Sequence, residues 1–87
     1  MINQEITRIF NEIALILEML GVAFKPWAFE KAAGIIASLG EDLKSIYEKG
    51  GVKSLKEIPG VGQSLAEMIE EYIKTKKIHE HLDLKQK

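Results

Sequence analysis

The sequence predicts an all-α domain, and three observations carry that prediction. Apolar residues recur at helical spacing over most of the chain, glycine and proline divide it into helix-sized pieces, and no stretch alternates with the period of two that a half-buried strand requires. At 87 residues the chain makes one small domain with a single modest core. Its 46% hydrophobic and 29% charged residues are ordinary for a globular protein and too apolar for a disordered one. The expected architecture is a compact bundle of four or five short helices.

Asn3 is placed to cap a first helix running to about Leu20, with Ile6, Ile9, Phe10, Ile13, Leu17 and Leu20 on one buried stripe. Gly21 stands where such a helix stops. Residues 22–25 form a connector, and Pro26 suits the first turn of a second helix. That helix turns Phe29, Ala32, Ala33, Ile36 and Leu39 inward, the alanine pair implying a close helix–helix approach, and Gly40 ends it. Glu41 and Asp42 favour the start of a third helix through its dipole; Leu43, Ile46 and Tyr47 supply its apolar side, and Gly50-Gly51 break it. A short helix over about 53–57 leads into Pro59-Gly60-Val61-Gly62. A longer helix then runs from Gln63 to about Lys74, with Leu65, Ile69, Tyr72 and Ile73 facing inward and Met68 at the border. After Thr75 the periodicity fades. The domain therefore spans 1–78, and 79–87 reads as a polar tail, the start of a linker, with His79 and His81 exposed on it.

Several function classes drop out. Without cysteine there are no disulfides and no thiolate metal sites, and an intracellular, cytoplasmic home is favoured. His79 and His81, at i and i+2, point to different sides of a helix, with no cysteine or carboxylate spaced to complete a metal site. Glu5, Arg8, Glu12 and Glu18 interrupt the amino-terminal apolar residues, which rules out a signal peptide, and no run reaches membrane-spanning length, so no membrane partner is expected. The net charge of −1 is unusual for a dedicated DNA binder. The second part of the chain is the more basic one: 53–87 holds seven basic and six acidic side chains, against five and seven in 1–52.

The stretch 54–74 carries the functional signal. Pro59 fixes its own φ and gives up an N–H, which suits the end of a helix and the start of a turn. Gly60 and Gly62 flank Val61, so the turn can take positive φ and lie against another backbone with no Cβ between. Beyond it, the first amides of the next helix, at Gln63 and Ser64, have no intrahelical partner and carry the positive end of its dipole. Bare amides on a Cβ-free turn, here those of Gly60, Val61, Gly62, Gln63 and Ser64, suit a phosphate oxygen. The stretch thus reads as a helix-hairpin-helix that grips nucleic-acid backbone rather than bases. The plainer alternative is a tight helical turn and no more. Lys25 and Lys56 are either phosphate contacts or solvated lysines. Trp27 and Phe24 either close the end of the core, the reading favoured for Trp27, or form an exposed stacking platform for a terminal base. Glu67, Glu70 and Glu71 read as a solvated face that would repel DNA.

With these residues in view, the chain resembles the small amino-terminal domain of the X-family, polymerase beta-like DNA polymerases, with bacterial and archaeal members the most similar. The resemblance spans nearly the whole chain. It rests on the opening amphipathic helix, on Phe24-Lys25-Pro26-Trp27-Ala28-Phe29-Glu30-Lys31-Ala32-Ala33, on Tyr47-Glu48-Lys49-Gly50-Gly51, and on Ile58-Pro59-Gly60-Val61-Gly62 followed by Ala66, Ile69 and Tyr72. It implies a domain that holds the 5′-phosphate on the downstream side of gapped or nicked DNA, with Lys25 and Lys56 at the family's basic positions. It also implies that the main-chain carbonyls of Lys56, Ile58 and Val61 hold a monovalent cation, Na⁺ or K⁺, between protein and phosphate. Some animal members are lyases through a lysine on the second hairpin helix; the matching position here is Met68, which has no amine, so no lyase activity by that route is expected. Phe29 replaces a pocket tyrosine, Glu30 a basic residue, and Trp27 stands where bacterial relatives often have a basic one, which implies weaker phosphate binding.

Nucleotidyl transfer in that family needs three carboxylates on a separate sheet domain, and the only aspartates here are Asp42 and Asp83. The chain is therefore expected to be a monomeric, non-catalytic DNA-binding module, its partners being gapped or nicked DNA and the remainder of a parent polymerase. The alternative is a protein-interaction module whose DNA face has become acidic. A third, weaker possibility is a lyase that uses Lys56 or Lys31 instead.

Overall fold

The computed structural model describes residues 1–86, and among them lie five helices and no strand: α1 (Asn3–Met19), α2 (Lys25–Ala37), α3 (Leu43–Lys56), α4 (Gln63–Thr75) and α5 (His79–Lys85). The all-helical expectation holds. α1 and α2 form the central pair, because the buried stripe Ile6, Ile9, Phe10, Ile13, Ala14 and Leu17 meets Phe29, Ala32, Ala33 and Ile36. Phe10 and Phe29 meet edge to face, 5.4 Å between centroids at 81°. Ala32 and Ala33, at most 1% exposed, leave room for the neighbouring helix to come close. α4 adds Leu65, Ala66, Ile69 and Tyr72 to the same core.

Asn3 does something other than cap α1. The cap position is Ile2, which makes no side-chain capping bond, and Asn3 itself is only 3% exposed. Its Nδ2 donates to the Glu41 carbonyl at 2.9 Å, and its Oδ1 accepts from the Leu43 amide at 2.8 Å. The side chain thus ties the start of α1 to the start of α3, forty residues away. Asp42 is the cap of α3, accepting from the Lys44 amide at 2.9 Å. α3 bends sharply at Gly51, whose φ of 67° and ψ of −153° are open to glycine and costly for other residues, so the break expected at Gly50-Gly51 falls on the second of them.

The largest departure concerns the segment after Thr75. Residues 79–85 form α5, and Ile78, His81 and Leu84 are buried. His81, expected in solvent, is 6% exposed, with Nε2 at 3.2 Å from Glu12 Oε1 on α1. A seven-residue helix is too short to show a period, and its polar partner lies 69 positions upstream, so local pattern hides both. Glu12 is also held by Arg8 at 2.6 Å and faces Lys85 at 3.9 Å. The hydrogen bond from His81, with these cations, holds the Glu12 carboxyl below its usual range. Tyr72 donates to Glu5 of α1, and Tyr47 of α3 donates to Glu70 of α4 at 2.6 Å, so each hydroxyl joins two helices. Position 87, the last of the expected tail, lies outside the described residues.

Two outcomes test these ties. Asn3→Ala leaves the Glu41 carbonyl and the Leu43 amide without their partner and should cost about 1–3 kcal/mol in urea unfolding. For Glu12 the folded carboxyl is the stronger acid, so its contribution is complete above the unfolded value near 4.5 and is lost as pH falls through the lower folded value. Glu12→Gln should therefore be less stable than wild type at neutral pH, and the two unfolding midpoints should converge in acid.

Candidate nucleic-acid interface

The joint between α3 and α4 is a tight turn. The Val61 amide donates to the Ile58 carbonyl at 3.0 Å, with Pro59 and Gly60 between them and Gly60 at φ 87°. Proline followed by a positive-φ glycine is the signature of a type II turn. The Val61 side chain, 4% exposed, pins the turn to the core. Gly62 follows as the cap residue of α4 in extended conformation, φ −89° and ψ −172°, and its carbonyl accepts from Ala66 at 2.9 Å. Positive φ is thus needed at Gly60 alone. At Gly62 what counts is the missing side chain: a Cβ there would meet nothing within 4 Å.

Among the described residues, the amides of Gly60, Gly62, Gln63, Ser64 and Leu65 donate to no protein group. The starts of α3 and α5 are treated differently, whereas α1, like α4, begins without a side-chain cap. The Leu43 and Lys44 amides of α3 are taken by Asn3 and Asp42, and the His79 amide of α5 by Glu71 at 2.9 Å. Four of the five hairpin positions expected to offer amides therefore have them free. Val61 is the correction, since its N–H closes the turn. Its carbonyl and that of Lys56 accept no backbone hydrogen bond among the described residues, and Ile58 retains a second lone pair. Pro59 contributes to this, having no N–H to give.

The hairpin rests on α2. A Cβ on Gly60 would lie 2.7 Å from Ile35 Cδ1 and 3.9 Å from Lys31 Cγ, so the absence of one lets the turn seat against this helix. Lys31 then reaches across to Trp27, its Nζ 5.0 Å from the ring centroid. Trp27, Lys31 and Ile35, four residues apart, form one stripe leading to the turn. Lys31 is thus a basic residue beside the hairpin, and its i, i+4 relation to Trp27 was the available signal. Trp27 is 64% exposed and Phe24 87% exposed, so neither closes the core; Phe29 does that. Phe24 also sits at φ 69°, a conformation that costs a bulky residue energy.

Lys56, at the end of α3, and Gln63 and Ser64, in the first turn of α4, are exposed beside the turn; Gln63 donates to Glu67 at 2.7 Å. Lys25 opens α2 and faces Glu80 of α5 at 4.0 Å, an exposed pair of little energetic weight. The expected acidic face is divided. Glu70 bonds Tyr47 and pairs with Lys74 at 3.6 Å, Glu71 accepts from His79, and only Glu67 remains near the turn. Met68 is partly buried against the core. No group of three or more His, Cys, Asp or Glu able to hold a metal gathers among the described residues. No helix there is long and apolar enough to cross a membrane.

Two helices joined by a glycine turn, with unclaimed amides at the second helix's start, define a helix-hairpin-helix module. A family model described as a helix-hairpin-helix domain matches residues 1–78, and the chain belongs to that family. Membership suggests nucleic-acid binding. A comparison with curated proteins finds no match.

The two glycines should separate on substitution. Gly60→Ala meets both the Ile35 contact and an unfavourable φ, the latter alone worth about 1–2 kcal/mol, and should lower the thermal midpoint clearly. Gly62→Ala, in open space at ordinary φ, should leave stability within about 0.5 kcal/mol of wild type.

Proposed function

We propose that the domain is a sequence-nonspecific DNA-binding module that holds the phosphate backbone through the hairpin amides. The observation that carries this reading is the run of unpartnered N–H groups from Gly62 to Leu65, opening onto space left free by Gly62. Helix-start amides suit an anion because they offer donors and the positive end of the dipole together. Lys56 and Lys25 add charge, and the Lys56, Ile58 and Val61 carbonyls hold a Na⁺ or K⁺ that screens them from the phosphate. The preferred site is a 5′-phosphate at a gap or nick, and the parent is an X-family-like repair polymerase whose catalytic carboxylates lie elsewhere. The segment itself is not catalytic, since Met68 supplies no amine for Schiff-base chemistry.

With few phosphate contacts, duplex affinity falls in the non-specific range, on the order of 10⁻⁴–10⁻⁶ M, with a shallow salt dependence. The second reading, a protein-interaction module, draws on the exposed aromatics Phe24 and Trp27. NMR titration with 5′-phosphorylated gapped DNA separates the two. Shifts centred on Gly60, Gly62, Gln63, Ser64 and Lys25, weakened by Gly62→Ala, support backbone binding. No binding at low salt, or shifts scattered without a phosphate preference, would sink it. Borohydride should trap no covalent adduct on a 5′-abasic end.

A further inference from the structure

The exposed tryptophan beside the hairpin is not used by a contact to phosphate alone. Trp27 is two-thirds in solvent, and the same lysine that lies over its ring runs past Gly60. A ring this large left in water forfeits the burial that would otherwise hold it. Its neighbours do not cover it either, since Phe29 alone of the nearby aromatics enters the core. What lies next to the ring is charge of one useful sign, the Lys31 ammonium, and then the free amides of the turn.

We infer that Trp27, with Lys31 over it, is a stacking platform for an unpaired DNA base adjacent to the phosphate held by the hairpin, so that the domain selects junctions between paired and unpaired DNA over continuous duplex. This inference rests on the backbone-binding reading above. The chemistry of the site fits such an occupant. A nucleotide offers a flat π-face for the indole and an anionic oxygen for Lys31, and every base has such a face, so the platform adds no sequence preference. A paired base inside a duplex has both faces covered by its neighbours and cannot use the ring. The platform therefore distinguishes DNA by whether a base is free, which amides gripping phosphates do not. Lys31 has a double part: its ammonium holds the indole by cation–π attraction, and its stem passes Gly60, which keeps that charge within reach of the phosphate that brings the base in.

Trp27 is the only tryptophan, so intrinsic fluorescence reports on this one ring. Three hairpin DNAs with a 5′-phosphate serve as probes: one blunt, one with unpaired thymidines beside the phosphate, and one with abasic spacers in their place. Binding is followed separately by the anisotropy of a dye on the DNA. The thymidine junction should quench the tryptophan strongly and bind at least about fivefold tighter than the abasic one, the lower end of what base–aromatic stacking supplies. Trp27→Leu, which keeps an apolar exposed side chain without a π-face, should abolish that difference, and Trp27→Tyr should restore part of it. Equal binding of thymidine and abasic junctions without quenching overturns the inference, leaves backbone binding standing, and assigns the aromatic face to a protein partner. If none of the three DNAs binds, the backbone reading itself has failed and the platform goes with it.

Discussion

The seating of Gly60 on Ile35 is the contact on which the rest of the site depends. Because no Cβ stands between them, the turn after α3 packs directly on α2, and that packing decides which side chains border the hairpin. It brings Lys31 to the turn and, through Lys31, Trp27. It also lets the Val61 side chain enter the core, which orients the two residues that follow and leaves the α4 amides facing no protein group. A bulkier turn standing off from α2 would keep the helices and lose this arrangement.

Polar ties between distant elements support that seating. Asn3 fastens the first helix to the start of the third, Tyr47 and Glu70 join the third to the fourth, and Tyr72 and Glu5 return the fourth to the first. Glu12 gathers His81 and Lys85 from α5 and Arg8 from its own helix. A domain this small has a modest core, and buried hydrogen bonds with both partners in place specify one arrangement of short helices more sharply than apolar contact alone. The Tyr47 tie holds Glu70 against α3, and the His79 amide holds Glu71 at the start of α5.

Much of the fold was legible because its signals are local. Helical periodicity marked the stripes of α1, α2 and α4, and glycine and proline marked the turns, since these residues act on the backbone where they stand. The misses share one cause: a partner far away in the chain. Asn3 looked like a cap because capping residues are recognised from the residues just after them, and nothing local announced Glu41 and Leu43. His81 looked like a tail residue because Glu12 is distant. At the site, the need for Gly60 and the open start of α4 followed from residue types in sequence, while the candidate carbonyls came from the family resemblance alone. The exposure of Trp27 did not, because whether an aromatic is covered depends on the whole packing, and Phe29 had already filled the place. Lys31 was hidden for the related reason that its neighbour at the turn belongs to another helix.

Ile58 and Val61 turn their side chains inward, while the glycines on either side of Val61 carry none at all. Whatever docks there would meet a surface made of main chain, which substitution can destroy but scarcely adjust. Tuning would fall to the bordering charges, Lys31, Lys56 and Glu67, which evolution can exchange one at a time. Such an interface has a fixed grip and a variable grip strength, so related chains could drift from firm to faint attachment without altering a single backbone atom of the clasp.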